Sequence, residues 1–89
     1  MRTKEGFVLR KLLGEHILAG EGLQQINFNR IISLNDSAAW LWEQVEGKEF
    51  TADDLKNLLL EKYDVEESVA EKDAKALAES WLNAGVVEE

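Results

Sequence analysis

The chain has 89 residues, a net charge of −8, no cysteine, no proline and one histidine, His16. This length is typical of one domain with one small core, so we expect a single domain over residues 1–89. The absence of cysteine excludes disulfides and thiolate ligands, and no apolar run approaches the roughly 20 residues of a membrane span. Because the N-terminus lacks the apolar segment of a signal peptide, we expect a cytoplasmic protein with no membrane partner.

The first part of the chain predicts three β-strands. Residues 7–12 and 15–19 are apolar runs separated by Gly14, which indicates a β-hairpin. A third strand is predicted over about 29–34, where Ile31 and Ile32 are β-branched. Three strands with one apolar face are close to the minimum for a stable sheet, so packed helices are needed to complete the core.

A helix is predicted over about 36–46, directly after the third strand. Asn35 is suited to cap it, and Asp36 lies where the helix dipole favours a carboxylate. Gly47 is suited to end this helix. The apolar stripe has helical spacing and comprises Ala38, Leu41, Trp42 and Val45. Trp40 lies on the opposite side, where we expect it to pack against a layer of strands; exposure for a partner is the alternative.

Two further helices are predicted in the second half. One starts at Thr51, with Asp54 three residues later, and the other at Ser68, with Glu71 three residues later; both pairs fit the capping-box pattern. Gly85 is suited to end the last helix near Ala84. The expected stripes are Leu55, Leu58, Leu59 and Tyr63 in one helix and Ala70, Ala74, Leu77, Trp81 and Leu82 in the other. The apolar tail Val86-Val87 then either packs back or adds a final strand.

The order of the elements, strands first and helices second, indicates an α+β fold. We predict a small winged helix–turn–helix-like domain, in which an N-terminal three-stranded antiparallel sheet is followed by three helices. The charge follows the same division. Residues 1–30 hold five cations and three acids, whereas residues 31–89 hold five lysines and fifteen acids. An acidic helical half counts against a nucleic-acid partner.

No catalytic constellation is apparent in the sequence. His16 has no second imidazole or thiolate beside it, and we expect a surface or hairpin histidine. The four serines, Ser33, Ser37, Ser68 and Ser80, lack a nearby histidine to activate them, and no Gly-rich phosphate loop is present. We therefore predict no enzyme activity, no metal and no cofactor.

A series of caps, core positions and turns extends over nearly the whole chain. It comprises Leu34-Asn35 leading into Ser37-Ala38-Ala39, then Leu41-Trp42-Glu43 and Gly47, Thr51-Ala52-Asp53-Asp54-Leu55, Tyr63-Asp64-Val65, and finally Leu77, Trp81-Leu82 and Gly85-Val86-Val87. This series includes no catalytic motif, and it resembles the family of the pyrroloquinoline quinone biosynthesis protein D (PqqD).

The resemblance implies a peptide chaperone that recognises ribosomally made precursor peptides. Such a domain binds the leader of the precursor by strand addition and presents it to a modifying enzyme, often a radical S-adenosylmethionine enzyme, as in pyrroloquinoline quinone biosynthesis. The positions that the resemblance assigns to peptide binding are Arg30, Ile31, Ile32 and Ser33 on the third strand and Lys72, Lys75, Ala76 and Glu79 on the third helix. Lys72 and Lys75 suit an acidic leader, and Glu79 suits one basic residue in it.

Two other functions remain open at this level. A winged-helix transcription regulator has the same order of elements, although the last predicted helix carries more acids than lysines. A small structural or dimerisation module needs no ligand. We expect a monomer or a weak homodimer, with a leader peptide and a modifying enzyme as partners and no nucleic acid.

Overall fold

A computed structural model describes residues 1–20 and 31–89 of the chain. Strands precede helices in this part, apart from a last short strand. The elements are β1 (Arg2–Thr3), β2 (Phe7–Leu12), β3 (Glu15–Gly20), β4 (Ile31–Leu34), α1 (Asp36–Val45), α2 (Ala52–Lys62), α3 (Glu67–Ala84) and β5 (Val87–Glu88). This arrangement confirms the α+β fold class, with a three-stranded sheet followed by three helices. The start of the predicted third strand, residues 29–30, lies outside the described residues.

The three-stranded sheet is antiparallel in the order β2-β3-β4, with β3 in the centre. A two-residue turn, Leu13-Gly14, joins β2 to β3, and both residues have positive φ, 52° and 81°. This conformation matches the right-handed twist of the two strands. The register pairs Leu18 with Ile32 and His16 with Leu34. Among the described strands, β4 forms one edge of this sheet.

The core lies between one face of this sheet and the helices. From the sheet, Phe7, Leu18 and Leu34 belong to this core, and Trp42 and Trp81 are the largest buried side chains from the helices. The two indole rings meet edge to face, with centroids 5.3 Å apart and planes at 87°. Aromatic pairs favour this geometry because the positive ring edge meets the negative ring face.

Helix α1 follows the predicted pattern. The Asn35 side chain accepts a hydrogen bond of 2.8 Å from the Ala38 N–H, and every member of the predicted stripe is buried. Trp40 is half-buried and contacts Tyr63, with ring centroids 6.4 Å apart, while Lys62 Nζ lies 4.4 Å from its ring centroid. Trp40 thus packs against the C-terminal end of α2. Its ring contacts are with this helix and not with the layer of strands that we expected.

The two predicted capping boxes have different outcomes. At the start of α2, Thr51 Oγ1 accepts from the Asp54 N–H at 3.2 Å and Asp54 Oδ2 accepts from the Thr51 N–H at 2.9 Å. The prediction at Ser68 is wrong, because α3 begins one residue earlier and its N-cap is Glu66, without a side-chain cap bond. Ser68 therefore has helical backbone and cannot occupy the extended N-cap conformation.

The C-terminal tail adds a final strand, which was one of the two predicted outcomes. Gly85 ends α3 in the left-handed conformation, with φ of 77°, and the chain then reverses. β5 pairs with β1, so that Thr3 lies opposite Val87. The Phe50 N–H also donates to the Met1 carbonyl oxygen at 2.7 Å. None of the helices described has the length and apolar character needed to cross a membrane.

Candidate functional site

The outer edge of β4 is open in the described part of the chain. β4 pairs with β3 on one side, and no described strand pairs with it on the other. In an antiparallel strand, alternate residues direct their N–H and C=O groups to opposite sides, so part of the β4 backbone faces outward. Such an edge is a template for one more strand.

A groove of about 400 Å³ begins where β4 ends and runs between α1 and α3. Its floor is apolar because three leucines form it: Leu41 and Leu59, which are buried, and Leu77, which is half-buried. The rest of the lining consists of small or polar side chains, namely Asn35, Ser37, Ala38, Asp73, Ala76 and Ser80. An apolar floor with a few polar groups at the rim is typical of a binding site.

Helix α3 forms one wall of the groove. Its lining residues are spaced by three and four positions, which places them on one helical face: Asp73, Ala76, Leu77 and Ser80. Ala76 and Ser80 have short side chains, so they leave space above the apolar floor. Within the described residues, Asp73 has no ion-pair or hydrogen-bond partner for its side chain, and it supplies the one charged side chain of the lining.

The opposite wall is the first turn of α1, which is fixed by local hydrogen bonds. Asn35 Oδ1 accepts from the Ala38 N–H and, at 3.0 Å, from Ser37 Oγ. The His16 imidazole on β3 lies 2.9 Å from Asp36 Oδ1 and joins this turn to the sheet. The Asn35 side chain bonds one N–H of the first turn that has no partner within the helix, and the Asp36 carboxylate offsets the positive end of the helix dipole.

The four strand positions assigned by the resemblance have different placements. Arg30 lies outside the described residues. Ile31 begins β4, opposite Ala19 in the register. Ile32 is half-buried and packs on the core, whereas Ser33 is exposed. The described strand residues therefore share the open edge, and the side chains of Ile32 and Ser33 leave the sheet on opposite faces.

Of the four assigned helix positions, Ala76 lines the groove and the others do not. Lys72, Lys75 and Glu79 are exposed on the outer side of α3. Lys75 Nζ lies 3.3 Å from Glu71 Oε1, one helical turn earlier. These three charged residues are close to the groove along the chain but belong to the neighbouring face of the helix.

Sequence reasoning missed three groove residues on α3, namely Asp73, Leu77 and Ser80, as parts of a site. Leu77 was assigned to the core, and it is half-buried against the core while also lining the groove. Spacings of three and four residues from Ala76 would have identified the set. The described residues contain no group of three or more histidines and acids that could hold a metal ion.

Comparisons with known proteins agree with this architecture. The family model described as Coenzyme PQQ synthesis protein D (PqqD) matches residues 11–87. A search of curated proteins gives no match. Among solved structures, "TbiB1 in Complex with the TbiA(beta) Leader Peptide" is similar in fold, with a TM-score of 0.72, 19% identity, and coverage of 99% of this chain and 95% of that chain. Because the family model spans most of the sequence, this chain belongs to the PqqD family.

Proposed function

We propose that this protein is a non-catalytic peptide chaperone that binds the leader of a ribosomally made precursor peptide. The leader adds as a strand to the open edge of β4 and places side chains in the groove between α1 and α3. The protein then presents the precursor to a modifying enzyme, for which we propose the radical S-adenosylmethionine type. Pyrroloquinoline quinone biosynthesis is one setting for such a pair.

The observation that carries this proposal is the adjacency of an open strand edge and an apolar groove. Asn35 directly follows β4 and also lines the groove, so the two features are continuous along the chain. Strand addition obtains affinity from main-chain hydrogen bonds, while pockets for alternate side chains provide specificity. Both requirements are present side by side.

Two comparisons support the same function. The chain belongs to the PqqD family. The solved structure of similar fold, TbiB1, is a complex with a leader peptide. A DNA-binding role has weaker support, because α3 carries four acids and two lysines. A recognition helix that approaches phosphates is expected to be basic.

The first test is an NMR titration of isotope-labelled protein with a synthetic leader peptide. The peptide is the leader half of any short open reading frame that neighbours this gene. We expect amide shifts concentrated at residues 31–34 and 73–80. Shifts confined to other surfaces, or no shifts at high peptide excess, would contradict the proposal.

Strand addition has a signature that needs no change in the protein. Each residue of the leader is N-methylated in turn, which removes one N–H donor at a time. Because alternate residues of an added strand bond to β4, affinity should fall at every second position and remain nearly constant between them. A uniform profile would argue against an added strand.

A paired substitution tests the groove itself. Ala76→Leu extends a side chain into the recess, and we expect at least a tenfold loss of leader affinity. Leucine is nearly as good a helix former as alanine, so stability should change little. Asn83→Leu is the matched control, because Asn83 is exposed on the same helix, does not line the groove and was not assigned to peptide binding. Equal losses in the two variants would remove the groove from the site.

A further inference from the structure

The described lining of the groove carries a negative charge, whereas the positions assigned to peptide binding included two lysines. Lys72 and Lys75 suggested an acidic leader, yet neither residue lines the groove. Asp73 does, and its side chain has no ion-pair partner in the described part of the chain. Lys72 precedes Asp73 by one residue and therefore lies about 100° around the helix axis.

The other wall does not reverse this sign. The N-terminal end of α1 is a source of positive potential in principle. Here the Asn35 side chain occupies the Ala38 N–H, and Asp36 places a carboxylate in the same turn. The His16 imidazole is directed to Asp36, 2.9 Å away, rather than to the groove lining. An anion in the groove would meet Asp73 without a cation among the described lining residues.

We infer that the groove selects an extended peptide segment in which a leucine-sized apolar side chain is accompanied by a lysine or arginine that pairs with Asp73. The inference rests on the proposed function and specifies the chemistry of its ligand. The apolar side chain covers the floor formed by Leu41, Leu59 and Leu77. The cation pairs with the Asp73 carboxylate, the one charge among the described lining residues, which a bound peptide would otherwise partly desolvate.

The test uses three synthetic pools of nine-residue peptides with blocked ends. Every peptide has a central leucine, and the residues two positions away on each side are lysine in one pool, glutamine in the second and glutamate in the third. Residues two apart lie on the same face of a strand, so they approach the groove together with the leucine. The remaining positions vary among serine, threonine, valine and alanine, and affinity is measured by NMR shifts of the α3 amides.

We expect the lysine pool to bind about three- to fivefold more tightly than the glutamine pool, as for a partly exposed ion pair. The glutamate pool should bind least. Asp73→Asn should abolish the difference between the lysine and glutamine pools. Glu71→Gln is the control, because it removes the same charge from the same helix at a position that lies outside the groove and was not assigned to peptide binding. It should retain the preference, which separates a local pair from the attraction of a net charge of −8.

The outcomes separate the inference from the proposed function. Shifts at residues 73–80 with equal affinity for the three pools would overturn the inference and leave the groove as a peptide site. A preference for lysine that Glu71→Gln weakens as much as Asp73→Asn would also overturn it. Absence of shifts at these residues with every pool, at millimolar peptide, would count against the groove as a peptide site and against the inference with it.

Discussion

Replacing Trp42 with alanine should remove a large part of the stability of this fold. Trp42 is completely buried and contacts Trp81 edge to face. A tryptophan buries about 150–250 Å², which corresponds to about 4–6 kcal/mol at about 25 cal/mol per Å². Alanine retains part of this area, so we expect a loss of about 3–5 kcal/mol. A domain of this length has about 4–13 kcal/mol in total.

The loss is measured by urea denaturation followed by far-ultraviolet circular dichroism, with the free energy of unfolding taken at constant slope. Trp40→Ala is the matched comparison, because Trp40 is half-buried on the same helix and contacts Tyr63 and Lys62. We expect about 1–2 kcal/mol for that variant, from one aromatic and one cation–π contact.

Trp42→Phe keeps the result interpretable if the alanine variant does not fold. Phenylalanine retains an aromatic ring against Trp81 and removes an indole N–H that has no acceptor among the described residues. We expect a loss of about 1–2 kcal/mol, less than for alanine, because the lost volume is smaller and the unpaired donor is gone. A Trp42→Ala variant no less stable than Trp40→Ala would refute the packing of α1 described above.

Three further predictions concern the turn, a cap and an ion pair. Leu13→Asn should stabilise the protein by about 1 kcal/mol in urea denaturation, because Leu13 has positive φ and is 96% exposed; a loss of stability would show that its side chain has an unrecognised contact. Thr51→Ala should cost about 1 kcal/mol, whereas Ser68→Ala should change little, and equal losses would contradict the assigned starts of α2 and α3. The hydrogen bond from Lys56 to Glu67, at 2.9 Å, raises the pKa of Lys56. The stabilisation from this pair should persist below the ordinary lysine pKa of about 10.4 and be lost as the pH rises through the higher pKa of the folded state. In denaturation series at alkaline pH, Lys56→Met should show a smaller decline in stability.

The three helices and the three-stranded sheet were predicted well from the sequence because each of these elements has a local signal. Asn35 before an apolar stripe located the start of α1, and Gly85 located the end of α3. Ser68 shows the limit of this reasoning. The sequence pattern for a capping box was present, but whether a residue is the N-cap depends on its backbone conformation, and here the extended residue is Glu66.

Long-range pairings were less predictable than local ones. β1 consists of Arg2 and Thr3, which have no strand pattern of their own and become a strand by pairing with β5. Trp40 was placed correctly outside the apolar stripe, but the identity of its neighbour depends on how α2 ends beside α1. Sequence spacing defines a face of a helix and does not say what packs against that face.

Four alanines of α3 have different roles: three pack in the core and one lines the groove. Ala70, Ala74 and Ala78 are buried at intervals of four residues on the side toward the core. Their small side chains let a neighbouring helix approach, and α3 makes most of its helix contacts with α2. Ala76 lies between them in sequence but belongs to the face that lines the groove. A larger residue at Ala74 would therefore overpack the core, whereas the same residue at Ala76 would fill the groove and leave the fold intact. Small side chains on one helix thus serve two functions, and the position of each around the helix axis determines which one.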